Sequence, residues 1–459
     1  MKTKLITTLS LSLLIGIAGS SCKKTFLDAK PSSDILSPTT LSELRSLLDA
    51  NDRINLTGAL SQIASDEYNI ISEQNYLALP VIQRNGYIWA KDTYEGEKVD
   101  DWNNLFQSIF YANSVLDVLS TNTYKDQAEA SRVKGWAHFI RAYAYYDLAK
   151  NFCKVYSPST AGADLGLPIR LSASVDEIAK RSSLEKTFAQ ILTDINLATT
   201  LLDASVPPLN KNRPSKAAAT ALKARVLLYM GKYSGAESAA DSALLFHDKL
   251  IDFNTVSTSS ETPFSNNADE VIYSSIQVYN YASTTSSGNR PDIEIKPALY
   301  ASFSADDLRK SIYFRTNTIG KINMKRSYIS TGIYPFTGLA TDEIMLIKAE
   351  CLARRGEIQS SMDALNKLLI KRFKKTVPYK PLTAQDASEA LKLTLNERGK
   401  ELIWRGLRWS DLKRLNRDGA NIILSRSINN TTYTLLPNDP QYVFPIPDQE
   451  ILQSGIEQN

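Results

Sequence analysis

Only two histidines, His138 and His247, occur in 459 residues. That argues against multi-histidine metal centres and most histidine-dependent catalysis. His138 sits in "GWAHFIRAYAYY", a helical stretch with apolar and aromatic neighbours, and reads as a packing residue. His247 follows a helix end, where its charge suits the negative pole of the helix dipole. No G-x-G-x-x-G, P-loop, G-x-S-x-G, H-E-x-x-H or C-x-x-C is present. Asp92, Glu95, Glu97, Asp100 and Asp101 form an acidic cluster. It could hold a calcium ion, or it is a solvated loop that supplies charge to the start of the next helix. The densest charge pattern is "LNERGKELIWRGLRWSDLKRL". It reads either as an anion site or as an ion-pair lattice joining two helices. Within it Glu401 and Arg405 stand four apart and can pair on one helical face. No catalytic group, metal site or cofactor is expected from these residues.

Aromatic side chains are the chemistry in excess: 22 Tyr, 14 Phe and 5 Trp. Some recur at helical spacing, such as Trp102, Trp136 and Tyr143, and belong to a core. Others lie in non-periodic polar stretches: Tyr68, Tyr76, Trp89, Tyr94, Tyr279, Tyr281, Tyr328 and Tyr334. An exposed aromatic ring offers a flat apolar face with a polar edge and orders cheaply on binding. That suits the C–H face and hydroxyl rim of a sugar. These eight are the candidate ligand-binding residues, with Trp89 first as the largest platform.

The N-terminus carries an export signal. Lys2 and Lys4 precede a 14-residue apolar stretch, Leu5 to Ala18. It is shorter than the ~20 residues that a membrane span needs, and right for a signal-peptide core. Gly19, Ser20 and Ser21 then lead to Cys22, the order of a bacterial lipobox, which makes Cys22 the expected lipidation site. The other two cysteines, Cys153 and Cys351, lie in helical apolar contexts and are expected to be buried thiols rather than a disulfide. With 53 Lys+Arg against 49 Asp+Glu, the net charge is +4. So even a balance gives no case for nucleic-acid binding.

The elements that must position the aromatics are mostly helices. Apolar periodicity marks helices at 101–119, 131–149, 184–202, 215–230, 233–246, 342–355, 358–374, 384–404 and 408–415, with a short one ending at Leu48. Strand-like alternation is confined to pieces such as 270–278 and 442–447. The stretches 66–100, 157–182, 253–295 and 316–340 read as long loops, which in a compact domain usually carry function. One repeat is legible. Lys223, Ala224, Leu227, Gly231, Tyr233, Ala236, Ala243 and Leu244 have the spacing of a tetratricopeptide unit. Lys348, Ala349, Leu352, Gly356, Ile358, Ser361, Leu368 and Leu369 repeat it 125 residues later. The two are far apart in sequence, so a simple solenoid is not expected.

Taken together, several segments resemble the SusD/RagB family of outer-membrane lipoproteins of Bacteroidetes. They are "CKKTFLDAKPSS", "WNNLFQSIFYANSVLDVL", "FIRAYAYYDLAKNF", "LGLPI", "RPSKAAATALKARVLLYMGKY", "DEIMLIKAECLARRG", "ERGKELIWRGLRWSDLKR" and "FPIPDQEI", in the family's order, followed by the terminal Gln458-Asn459. Arg405 departs from the family's more usual acidic or small residue. The resemblance implies a mainly α fold, in which tetratricopeptide-like helix pairs carry long irregular loops and a few short strands. The organisation it suggests is a signal peptide at 1–21, a lipid-anchored tether at 22–38, and two interlocked parts at 39–250 and 251–459. It also implies a non-enzymatic role without cofactors. Such a protein sits as a lid on a SusC-like TonB-dependent transporter at the cell surface and captures a nutrient, most often an oligosaccharide and sometimes a peptide. A periplasmic helical-repeat scaffold and a lipid-anchored hydrolase are the competing expectations.

Overall fold

A computed structural model describes residues 38–174 and 176–459; Cys22 and the signal segment lie outside them. Residues from Leu41 to Asn459 form one compact unit. Nine helices of ten or more residues occur among the described residues, labelled here in chain order. They are α1 (Asp100–Thr121), α2 (Gln127–Phe152), α3 (Leu184–Leu201), α4 (Lys216–Tyr229), α5 (Tyr233–Phe246), α6 (Thr341–Arg354), α7 (Ile358–Leu369), α8 (Ala387–Glu401) and α9 (Arg408–Arg417).

Their starts follow from capping chemistry. Asp126, Ser183, Ser215 and Asp386 each accept a hydrogen bond from the backbone N–H three residues on, at the starts of α2, α3, α4 and α8. Gly231 and Gly356 hold positive φ angles of 75° and 86° where α4 and α6 give way to α5 and α7. Only glycine takes that turn without strain.

The helices pack as a continuous array. α1 lies on α2, α2 on α3, α3 on α4, α4 on α5, α5 on α6, and α6 on both α7 and α8. The two repeats legible in the sequence are therefore neighbours in space: α4/α5 stacks directly on α6/α7 although residues 247–340 intervene. This is the tetratricopeptide-like arrangement, with one large insertion looped out between two stacked units. Trp102, Trp136 and Tyr143 are buried in it, as their spacing requires. Cys153 and Cys351 are both free and buried. Burial pushes their thiols up to about 11 and about 12.

Two-stranded ribbons tie the loops together. Leu56–Thr57 pairs in parallel with Ile276–Gln277, and Tyr68–Ile70 runs antiparallel to Ile293–Ile295. Val271–Tyr273 meets Leu339–Ala340. Leu424–Ile428 and Thr431–Leu435 form a hairpin that turns through Asn429 at φ 53°. The expected loop 66–100 in fact holds a short strand and two short helices, Glu73–Leu77 and Val81–Tyr87. The stretch 442–447 is not a strand. Its backbone is instead bonded by the side-chain amides of the last two residues. Gln458 accepts from the Ile446 N–H and donates to the Ile446 carbonyl, and Asn459 donates to the Phe444 carbonyl.

The charge-rich segment is an ion-pair lattice, and its pairing differs from the sequence expectation. Glu401 does not bond Arg405, because α8 ends there and Trp404 and Gly406 take positive φ angles of 63° and 66°. Instead Glu401 accepts from Arg372 at 2.7 Å and Arg309 at 3.0 Å. Arg372 also bonds Glu270, Arg309 reaches Asp307 and Glu397, and Arg405 clasps Asp342 at 2.7 Å. A second branch runs from Arg398 to Asp411, then Arg414, then Glu350. Arg309, Arg372, Glu270 and Glu401 are all but wholly excluded from solvent. Arg372→Met leaves the buried Glu270 without its ion-pair partner and removes one of the two arginines from Glu401, and should cost about 3–5 kcal/mol. Urea unfolding should show the midpoint fall accordingly, and an unchanged midpoint would contradict this reading of the lattice.

Candidate functional site

The eight candidate aromatics separate cleanly. Tyr68, Tyr76, Trp89, Tyr94, Tyr281 and Tyr328 are buried, so as open platforms these six are corrected by the structure. Tyr279 is 40% exposed and Tyr334 is half-buried. Their ring centroids lie 5.1 Å apart at 79°, an edge-to-face pair at the surface.

The inward turn of Trp89 has a specific cause. The guanidinium of Arg426, on the hairpin, lies 3.8 Å from the centre of the Tyr87 ring, 4.7 Å from Trp89 and 5.4 Å from Tyr68. It is buried and donates to the carbonyls of Tyr87 and Ser65. The aromatic faces are thus occupied by the protein's own cation. The Trp89 indole N–H donates to the Ala64 carbonyl at 2.9 Å, and Trp89 itself sits at φ 57°. Tyr68 also packs edge-on against Trp404. Tyr328 packs between Phe264 and Phe336. Tyr94 donates to the Pro445 carbonyl at 2.9 Å. Trp89→Ala should therefore act on folding: truncating a buried Trp costs about 3–5 kcal/mol. Denaturation of the purified variant should show that loss, and wild-type stability would overturn the cage.

The exposed pair is positioned by the ribbons. Tyr279 follows Ile276–Gln277, which is pinned to Leu56–Thr57. Tyr334 precedes Phe336, which bridges to Ile276. Beside them the Ser287 N–H donates to the Ile333 carbonyl and the Gly288 N–H to the Met324 carbonyl. Thr318 donates from its N–H to Asn289. Three loops, around 279–290, 316–324 and 329–336, therefore share one face, with Ile319 and Ile333 exposed as well. The backbone groups that join these loops satisfy one another, and Tyr279, Ile319 and Ile333 supply the exposed apolar surface.

The other candidate chemistry is absorbed by structure. His138 bonds Asp194 at 2.7 Å, and Arg141 clasps the same carboxylate. Burial opposes the Asp194 charge, but these hydrogen bonds hold its carboxyl below the usual range. His247 bonds the Asp269 carbonyl. In the acidic loop, Asp92 accepts from the N–H groups of Tyr94 and Glu95, Glu95 accepts from Asn85, and Asp100 pairs with Lys98. Among the described residues the carboxylates that converge closely enough for an ion are Glu270, Asp342 and Glu401. All three are already neutralised by the arginines of the lattice.

Asp101, in the first turn of α1, is buried beside Tyr281. One of its oxygens accepts from the Leu60 N–H at 2.9 Å; the other has no partner. Burial raises its carboxyl to about 7 from an ordinary 3.8. A raised acid favours the folded state below its unfolded value and loses that contribution as pH rises through 7. Asp101→Asn should therefore gain thermal stability relative to wild type as pH goes from 5 to 8. A constant difference across that range would contradict the buried, protonated carboxyl.

Comparison with known proteins now places the chain. Residues 25–228 match a family profile described as starch-binding, associating with outer membrane, and residues 261–459 match the SusD family. The chain belongs to the SusD/RagB family. A curated relative, SusD-like protein P38 of Formosa agariphila, is 27% identical over 143 residues, which is 31% of this chain and 25% of that one. The chain thus matches about a quarter of that relative's length. Solved structures with the same fold include a protein from Bacteroides vulgatus ATCC 8482, with TM-score 0.75, 18% identity and coverage of 92% and 99% of the two chains. A SusD superfamily protein from Bacteroides fragilis has TM-score 0.71, 21% identity and coverage of 90% and 98%. Surface glycan-binding protein A from Bacteroides fluxus has TM-score 0.69, 19% identity and coverage of 92% and 99%. As a SusD-like protein the chain belongs to a family associated with the outer membrane and has the TPR-like helical fold.

Proposed function

We propose that this chain is a non-catalytic outer-membrane lipoprotein that captures an oligosaccharide on the Tyr279–Tyr334 face and passes it to a SusC-like TonB-dependent transporter. The observation that carries the reading is the exposed edge-to-face pair itself. It is solvent-facing, rigidly mounted, and set on loops rather than on the helical array. Two rings at nearly right angles form a corner that can take successive sugar rings of a bent chain. The family profile and glycan-binding structural relatives support a saccharide over a peptide. Cys22 would carry the lipid, leaving the body free to close over a barrel.

Binding to a panel of maltohexaose, cellohexaose, xylohexaose and mannohexaose, followed by calorimetry, tests the placement. By analogy with aromatic stacking on nucleobases, each lost platform costs on the order of 1–3 kcal/mol. Tyr279→Ala/Tyr334→Ala should weaken the best ligand at least tenfold with the thermal midpoint unchanged. Equal affinity in the folded double variant would remove the site from this face. Anchoring and partnership have their own check. Gentle detergent extraction of outer membranes should recover a TonB-dependent receptor with the wild-type protein. Cys22→Ala should leave the membrane fraction and lose the receptor. If it partitions as wild type does, the lipid anchor is excluded.

A further inference from the structure

We propose a second binding site, for a neutral oligosaccharide, in the groove where the loop before α1, the chain leaving α2 and the C-terminal segment meet. The proposal rests on the saccharide reading above but uses different residues. The groove has a volume of about 1200 Å³ and runs between residues 89–94, 154–165 and 438–448. Pockets for small molecules usually measure roughly 300–1,000 Å³, so this one has room for several sugar rings. Tyr279 and Tyr334 are not among the residues that line it.

Its walls are fixed before any ligand arrives. Trp89 is held by its indole N–H and by its carbonyl, which accepts from Gln441 at 2.7 Å. Tyr94 spans to the Pro445 carbonyl, and the Tyr442 hydroxyl accepts from Asn416. A preformed wall lowers the entropy lost on binding.

The charges identify the class of ligand. Three lysines and four aspartates line the groove, a near balance that favours neither an anion nor a cation. Lys154 and Asp164 neutralise each other at 2.9 Å. The buried Lys413 donates to the carbonyls of Lys150 and Cys153, and burial lowers its amine to about 7, so both N–H groups of the neutral form are committed to the wall. Asp92 and Asp439 each commit one oxygen to backbone N–H groups and keep the other unbonded. Exposed Lys91 bonds nothing among the described residues. The uncommitted donor of Lys91 therefore stands among the free acceptors of Asp92 and Asp439, beside aromatic residues. A hydroxyl both donates and accepts, so a polyhydroxylated chain can satisfy both sets at once. A phosphate or a polyamine would satisfy only one.

Calorimetric stoichiometry with the same four hexasaccharides tests this. Ala163 is exposed and lines the groove, so Ala163→Trp should block it without disturbing the core; Lys91→Ala is a milder second variant. The expected result is two hexasaccharides per wild-type chain and one per Ala163→Trp chain. Tyr279→Ala/Tyr334→Ala should also bind one, the combined variant none, and Lys91→Ala should weaken one of the two sites several-fold. One hexasaccharide per wild-type chain, unaffected by Ala163→Trp and lost in the tyrosine variant, would overturn the groove and leave the loop face standing. Binding lost in Ala163→Trp but kept in the tyrosine variant would support the groove and remove the loop face. No binding of any panel member would overturn both.

Discussion

The carboxylate of Glu401 lies between Arg309 and Arg372 with no access to water. The fold depends on that juncture. The charges come from separate stretches of chain: Glu401 from the end of α8, Arg372 from the turn after α7, and Glu270 and Arg309 from two places in the insertion. Buried charges of this kind are costly unless every partner is present. The lattice therefore admits one arrangement of the insertion against the helical array. Its effect reaches the surface. Glu270 immediately precedes the strand Val271–Tyr273, which leads through Ile276–Gln277 to Tyr279. Asp342, held by Arg405, follows Leu339–Ala340, whose approach carries Tyr334 and Phe336. Both members of the exposed pair thus leave from segments anchored in the lattice.

The helical array was legible in the sequence because helix periodicity reports burial directly. Trp102, Trp136 and Tyr143 sit where their spacing places them, and the paired repeats at 223–244 and 348–369 are real helix hairpins. Their direct stacking was not legible, since nothing local says that residues 247–340 leave and return. The recognition of family from ordered motifs succeeded for the same reason as the helices: the motifs are packing motifs. "ERGKELIWRGLRWSDLKR" is the lattice, and the terminal Gln458-Asn459 amides bond the "FPIP" segment in place of a strand.

Six of the eight candidate aromatics are buried, and for two of them the physical reason lies elsewhere in the chain. Trp89 and Tyr68 are in polar, aperiodic sequence and look like surface rings. They are turned inward by Arg426, more than 300 residues away. One signal was available. In the hairpin, Leu424, Arg426 and Ile428 alternate on the buried face, and an arginine at an inward position must be met by something, here by aromatic faces and carbonyls. Likewise Glu401 and Arg405 satisfy a helical spacing rule, but the helix stops at Glu401, and the positive φ at Trp404 sends the arginine to Asp342 instead.

What emerges is a division of labour. The array supplies rigidity, the lattice fixes the insertion, and the loops present what remains available to a ligand. If capture takes place on the loop face rather than on the stacked helices, a bound saccharide protects the loops and not the array. Hydrogen–deuterium exchange, with and without a saturating hexasaccharide from the panel, tests it most directly. Exchange should slow in residues 279–290 and 329–336, with the backbone amides of α4 to α7 unchanged. Slowed exchange confined to α4–α7, with those loops unaffected, would contradict it.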